Sequence, residues 1–146
     1  MVDSKKIILL VEDNQDDADL VQLAFARNHV THNVVRVRDG VEALEHLASD
    51  ARPPSLVLLD LQLPRLSGLE VLQRIRSNEK TKLLAVVLFT SSREQQDVVN
   101  GYRLGANSFV RKPIDFAQLV EASRQLVLYW MNLNELPGAP LIASDK

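Results

Sequence analysis

The stretch Leu56-Val57-Leu58-Leu59-Asp60-Leu61-Gln62-Leu63-Pro64-Arg65-Leu66-Ser67-Gly68 decides how this chain is read. Four apolar residues without a break suit a short strand buried on both faces. The run ends in a carboxylate, where such a strand leaves the core for a water-filled turn. Nearer the N-terminus, Ile7-Ile8-Leu9-Leu10-Val11 ends the same way, in Glu12-Asp13. Two buried strands that each finish in acid suggest one shared acidic pocket. Like charges crowded together repel unless a cation neutralises them.

Working outward, short apolar runs alternate with amphipathic stretches. Asn14 to about Asn28 reads as a helix with an acidic start (Asp13, Asp16, Asp17) and an inner face of Ala18, Val21 and Phe25. Residues 33–38 alternate Val35 and Val37 with Arg36 and Arg38, as an edge strand should. Asp39-Gly40 turns into a helix carrying Val41, Ala43, Leu44 and Leu47, and Pro53-Pro54 closes the connection. The third strand spans 56–60 and the third helix runs from Gly68 to about Ser77. Residues 83–89, Leu-Leu-Ala-Val-Val-Leu-Phe, predict a central fourth strand. A helix over about 93–104 stops at Gly105. Residues 107–110 predict a fifth strand. A last helix runs from about Asp115 to Trp130, with Phe116, Leu119, Val120, Ser123, Leu126, Val127 and Trp130 at helical spacing. This alternation predicts an α/β fold, a doubly wound five-stranded parallel sheet with right-handed crossovers.

Ligands of open parallel sheets sit beyond the carboxyl ends of the strands, where the strand order reverses. In the order 2-1-3-4-5, strands one and three flank that point, and Glu12, Asp13 and Asp60 converge. An all-oxygen ligand set with open positions favours Mg²⁺ or Mn²⁺ over zinc. The fourth strand ends in Thr90-Ser91-Ser92, which supplies hydroxyls, and Lys112-Pro113 follows the fifth. An ammonium and a hydroxyl facing an aspartate and a divalent cation suit the equatorial oxygens of an in-line phosphoryl transfer.

Four segments carry a resemblance: Val-Glu-Asp-Asn at 11–14, Leu-Leu-Asp-Leu-Gln-Leu-Pro-Arg-Leu-Ser-Gly at 58–68, Phe-Thr-Ser-Ser at 89–92 and Val-Arg-Lys-Pro-Ile at 110–114. In this order and spacing they resemble the receiver domain of two-component response regulators, over about residues 5–130. The resemblance implies a flavodoxin-like receiver fold, taken over 5–133; the tail, 134–146, contains Pro137, Gly138 and Pro140, lacks periodicity and is expected to be too short for an output domain. It implies Asp60 as phosphoacceptor, Glu12 and Asp13 as the acidic metal pair, and the Gln62 carbonyl as a further Mg²⁺ ligand. Thr90 becomes the switch hydroxyl, Lys112 the phosphate-binding lysine and Phe109 the switch aromatic. A cis bond between Lys112 and Pro113 is implied as well. A softer likeness is to phytochrome-associated single-domain response regulators. Its cues are Asn-Gln-Asp-Asp-Ala at 14–18, the long last helix, and Trp130 shortly before Leu136-Pro137. It implies a sensor histidine kinase as donor, of the phytochrome or bacteriophytochrome type, and a homodimer. Leu128, Tyr129, Met131 and Leu133, around Trp130, offer more apolar surface than one helix face buries.

Composition narrows the alternatives. The 146 residues fit one domain, and a net charge of -2 gives no electrostatic case for nucleic-acid binding. With no cysteine, disulfides, thiolate metal sites and a cysteine nucleophile are excluded. No signal peptide or bilayer-length apolar run is read, so a cytoplasmic protein without membrane contact is expected. An aspartate-nucleophile phosphatase is a competing reading, but such enzymes carry a second Asp two residues after the nucleophile, where this chain has Gln62. A dinucleotide enzyme lacks its glycine fingerprint here, and Glu12-Asp13 would repel a pyrophosphate. A binding module independent of phosphorylation is the third class. A non-enzymatic signalling protein is the expectation. His29, His32 and His46 read as surface or packing residues, and Arg36, Arg38, Arg93, Arg103 and Arg111 as solvated or paired with local acids.

Overall fold

The structure, a computed structural model, describes residues 6–30 and 33–137. His32, the first residue of the expected 5–133 span and most of the expected tail lie outside the described residues. The elements are β1 (Ile8–Val11), α1 (Gln15–Arg27), β2 (Val34–Val37), α2 (Gly40–Ala48), β3 (Leu56–Leu59) and α3 (Gly68–Ser77). Then follow β4 (Val86–Thr90), α4 (Gln95–Arg103), β5 (Ser108–Arg111), α5 (Phe116–Leu126) and a π-helical segment, Val127–Leu133. All strands are parallel, in the order β2-β1-β3-β4-β5, as expected.

Strand alternation divides the core into two layers. Ile8, Leu10, Leu56, Leu58, Val87 and Phe89 face one side and pack against Ala18, Val21 and Phe25 of α1 and Leu119 and Leu126 of α5. Leu9, Val11, Val57, Leu59, Val86 and Leu88 face the other, against Ala43 and Leu47 of α2 and Val71, Leu72 and Ile75 of α3. Each side chain fully buried in this way contributes about 1.5–3 kcal/mol of transfer free energy. Both layers need apolar strands, which is why β1, β3 and β4 are buried throughout.

Local chemistry sets the helix starts. Asn14, Asp39, Ser67 and Asp115 each accept a backbone N–H from the first turn of α1, α2, α3 and α5. Ser67 and Glu70 form a reciprocal capping box. Gly105, at φ +105°, follows α4 in the left-handed region that glycine tolerates best.

Two expectations need correction. The fourth strand begins at Val86, not at residue 83, and Leu83 is 69% exposed. Residues 78–84 instead make a turn closed by bonds from Thr81 and Lys82 N–H to Asn78 O and from Leu84 N–H to Thr81 O. The Arg76 guanidinium takes the carbonyls of Lys82 and Leu84, so an apolar run is drawn off the sheet by its backbone partners. The last helix is α-helical only to Leu126. The wider i→i+5 turn that follows changes the angular register, so Met131 becomes fully buried while Trp130 packs half-buried against the core. Met131 therefore leaves the expected surface patch, whereas Leu128, Tyr129 and Leu133 are exposed.

Candidate functional site

The register pairs Val11 of β1 with Leu59 of β3, so Glu12 and Asp60 leave adjacent strand ends side by side. The ladder continues one step further, as Asp60 N–H donates to Val11 O at 3.2 Å. Glu12 and Asp60 are buried, while Asp13, one residue on, faces solvent. One carboxylate oxygen from each of Glu12, Asp13 and Asp60 lies within 4.8 Å of the others. Two acids form the floor of the pocket and one forms its rim.

Lys112 closes the opposite side. Its backbone N–H donates to Thr90 O at 2.9 Å, which carries the β4–β5 pairing to the sheet end. Its ammonium hydrogen-bonds Glu12 Oε1 and donates to Asp60 Oδ2 at 3.1 Å, with 9% of the side chain exposed. Burial pushes the Glu12 carboxyl up to about 7, aided by the Asp60 charge and opposed by Lys112. Burial also works against the Lys112 ammonium, but the Asp60 and Glu12 carboxylates outweigh it and hold its pKa above the ordinary value. Lys112 is thus the pocket's resident cation, and Glu12 is the acid that takes up a proton when charge is short. Three carboxylates against one ammonium leave a deficit that a hard divalent cation fits.

Of the other expected residues, Gln62 and Thr90 lie at strand ends next to this pocket, and Phe109 lies within β5. Gln62 N–H donates to Asp60 Oδ1 at 3.2 Å, tying the turn after β3 to the acid. Thr90 is buried at the end of β4, and its Oγ1 accepts from Ser92 N–H at 3.3 Å. Phe109 is half-buried beside Leu88 and Gly101, and its N–H donates to the Tyr102 hydroxyl. His29 and His46 lie outside the acidic cluster. Gly68 lets the α3 start approach the turn: a Cβ there would lie 2.1 Å from Asp60 O.

Two further readings are corrected. The Lys112–Pro113 peptide is trans. The two isomers of an X–Pro bond differ by only about 0.5–1 kcal/mol, so local sequence does not fix which one a fold selects. Arg36 is half-buried on backbone carbonyls and is neither solvated nor paired with an acid, whereas Arg111 stays exposed, as expected, while bonding carbonyls. Arg36 donates to the carbonyls of Glu12 and Asp13, and Arg111 to those of Ser92 and Arg93. The sequence cue for Arg36 is an arginine near the end of an edge strand, next to the strand that leads into Glu12-Asp13.

A family model described as the response regulator receiver domain matches residues 8–124. The chain belongs to this family. Receivers are signalling domains that accept a phosphoryl group on an aspartate, and they bind Mg²⁺ or Mn²⁺ at an acidic pocket. This receiver is 38% identical over 136 residues to the probable methanogenesis regulatory protein FilR2 of Methanothrix harundinacea, covering 90% of this chain and 88% of that protein. It is 34% identical over 139 residues to response regulator Rcp1 of Synechocystis sp., covering 92% and 95%. Its fold matches the phosphorylated cyanobacterial phytochrome response regulator RcpA at a TM-score of 0.84 and 38% identity, over 91% of this chain and 99% of that one. The Mn²⁺-bound form of Rcp1 matches at 0.81 and 33%, over 91% and 99%. The bacteriophytochrome response regulator RtBRR matches at 0.70 and 44%, over 91% and 84%. Among the described residues no helix is long and apolar enough to cross a membrane.

Proposed function

We propose that this receiver takes a phosphoryl group from the phosphohistidine of a sensor histidine kinase onto Asp60. The observation that carries this is Asp60 held between the Glu12–Asp13 pair and the Lys112 ammonium at the carboxyl end of the sheet. An Asp60 carboxylate oxygen attacks phosphorus, a P–O bond forms, and the P–N bond breaks with its electron pair returning to the imidazole. Glu12, Asp13, Asp60 and the Gln62 carbonyl would hold Mg²⁺ or Mn²⁺. That ion supplies charge neutralisation at the phosphoryl oxygens. Lys112 pairs with the phosphoryl group from the β5 side, and Thr90 supplies the hydroxyl from β4. Phe109, on β5 beside Gly101 of α4, relays the change.

The pathway reading is of the phytochrome type. Its support is likeness to RcpA, Rcp1 and RtBRR over nine-tenths of this chain. Output runs through protein partners, with 5–133 as the receiver unit and no enzymatic activity beyond this exchange. A net charge of -2 disfavours DNA as a partner, and cytoplasmic residence follows from the kinase reading. A homodimer is favoured by the exposed Leu128, Tyr129 and Leu133 on the π segment.

Phosphotransfer from an autophosphorylated bacteriophytochrome kinase tests the assignment. Transfer to the wild type and none to Asp60→Asn is expected. Transfer from kinases of other sensor classes alone would defeat the phytochrome reading. Equal labelling of Asp60→Asn would defeat the acceptor assignment.

A further inference from the structure

Arg36 belongs to the edge strand β2, where it pairs with Leu10 of β1. Its guanidinium reaches past the end of β1. Nε and Nη2 donate to Glu12 O at 3.1 and 2.9 Å, and Nη2 also donates to Asp13 O at 3.3 Å. Nη1 donates to Gln15 Oε1 at 2.7 Å, and Gln15 Nε2 donates in turn to Asp19 Oδ1 at 2.7 Å. One planar fork therefore fixes the backbone of both acidic residues and ties it to the first turns of α1. Other bonds hold the flanks of this segment: Lys112 bonds the Glu12 carboxylate, and the Asp17 and Ala18 N–H groups donate to Asn14. Glu12 N–H donates to Val37 O, and Asn14 N–H donates to the Glu12 carboxylate. Asp13, the exposed acid, has its carbonyl fixed by Arg36.

We propose that Arg36 is a positioning residue for the divalent-cation site. It touches neither the cation nor the phosphoryl group. It holds the Glu12–Asp13 backbone so that their carboxylates converge on Asp60 at no ordering cost when the ion arrives. This rests on the reading of Glu12, Asp13 and Asp60 as cation ligands. Partners of metal ligands of this kind typically govern 10- to 100-fold of affinity. The guanidinium also carries charge, which opposes cation binding at a distance. Loss of Arg36 would thus tighten the site if charge dominated and weaken it if positioning did. Positioning wins because the charge is half-buried against carbonyls that absorb it, and a single planar fork spans the carbonyls of both acidic residues.

The test is Mg²⁺ titration of the full chain, followed by amide NMR shifts, for wild type, Arg36→Ala, Arg36→Lys, Arg38→Ala and Asp13→Ala. The expected result is Mg²⁺ binding about 10-fold weaker in Arg36→Ala. Arg36→Lys keeps the charge but not the fork, so it stays weakened as well. Arg38→Ala removes an equal charge from an exposed neighbouring position and leaves affinity unchanged. Without Mg²⁺, the Glu12 and Asn14 amides exchange faster in both Arg36 variants. Should Arg36→Ala fail to fold, Arg36→Lys carries the comparison. Wild-type affinity in Arg36→Lys, or equal losses in Arg36→Ala and Arg38→Ala, would overturn the proposal. If Asp13→Ala binds Mg²⁺ as wild type does, the ligand reading itself fails, and the Arg36 role with it. Loss in Asp13→Ala with none in Arg36→Ala or Arg36→Lys sinks the Arg36 role alone.

Discussion

The Lys112 ammonium lies 3.1 Å from Asp60 Oδ2 and hydrogen-bonds Glu12 at the same time. One cation from the end of β5 thus bridges acids from the ends of β1 and β3, across a sheet whose strand order reverses between them. The pocket is short of positive charge, and its behaviour with ligand, pH and substitution follows from that.

Acetyl phosphate with Mg²⁺ should add roughly 80 Da to the wild type, one phosphoryl group. Asp60→Asn should gain none, because the amide is no nucleophile for phosphorus. Intact mass spectrometry decides it, and equal gain by the variant removes Asp60 from the mechanism.

Lys112→Ala leaves Glu12 and Asp60 buried without their cation. Breaking a buried pair costs about 3–5 kcal/mol. The loss here should be smaller, about 1–3 kcal/mol, because Glu12 takes up a proton. Denaturant unfolding without Mg²⁺ measures it. Added beryllofluoride should leave the variant's amide spectrum largely unmoved; a wild-type response would show that Lys112 is not needed to couple the site to the fold.

Glu12 sets a pH dependence. Folding raises its carboxyl from 4.5 to about 7, so its contribution to stability is fully present below the unfolded value and is lost as pH rises through about 7. Metal-free protein should therefore lose stability between about pH 5 and pH 8 from this group. Cation binding requires the ionised form, so Mg²⁺ affinity should rise over the same window, by at most about tenfold per pH unit. Parallel thermal melts and Mg²⁺ titrations across that range check both signs. An affinity that is flat with pH would rule out Glu12 as a ligand that must shed a proton.

Gly68→Ala drives a methyl group into Asp60 O and Leu61 Cα, at 2.1 and 2.7 Å. Both are backbone atoms of the turn that carries the acid, so relief requires the turn to move. The substitution should cost at least the roughly 1–3 kcal/mol of an overpacked site. It should also lower acetyl-phosphate labelling in the fraction that stays folded. Wild-type stability and labelling together would show that the turn is slack.

The π segment separates stability from association. Met131→Ala empties a fully buried position and should cost about 2–5 kcal/mol. Leu128→Ala with Leu133→Ala removes exposed side chains and should change unfolding by less than about 0.5 kcal/mol for each. The double variant should instead weaken the homodimer in sedimentation. A wild type that stays monomeric at about 100 µM, with and without beryllofluoride, excludes association stronger than roughly -5.5 kcal/mol and defeats the dimer.

The sequence by itself determined the α/β alternation, the parallel sheet and the three acids. Each is encoded locally, by apolar runs such as Leu56–Leu59 and by the residue that follows each run. Parallel strands in register bring those residues together without further information, which is why Glu12 and Asp60 were legible. Tertiary structure alone decided features that depend on partners distant in the chain. Strand β4 could not be bounded from its own apolar run, because Arg76 of α3 draws residues 82 and 84 away from the sheet. The register of residues 127–133 depends on Met131 packing among Ile8, Val21 and Phe25, and on the Lys6 ammonium donating to Met131 O. Arg36 has the sequence signature of a solvated cation, and only the end of β2 beside the Glu12–Asp13 loop makes it an anchor. A guanidinium bonds whatever carbonyls the fold brings within reach, and its own sequence neighbourhood carries no record of them.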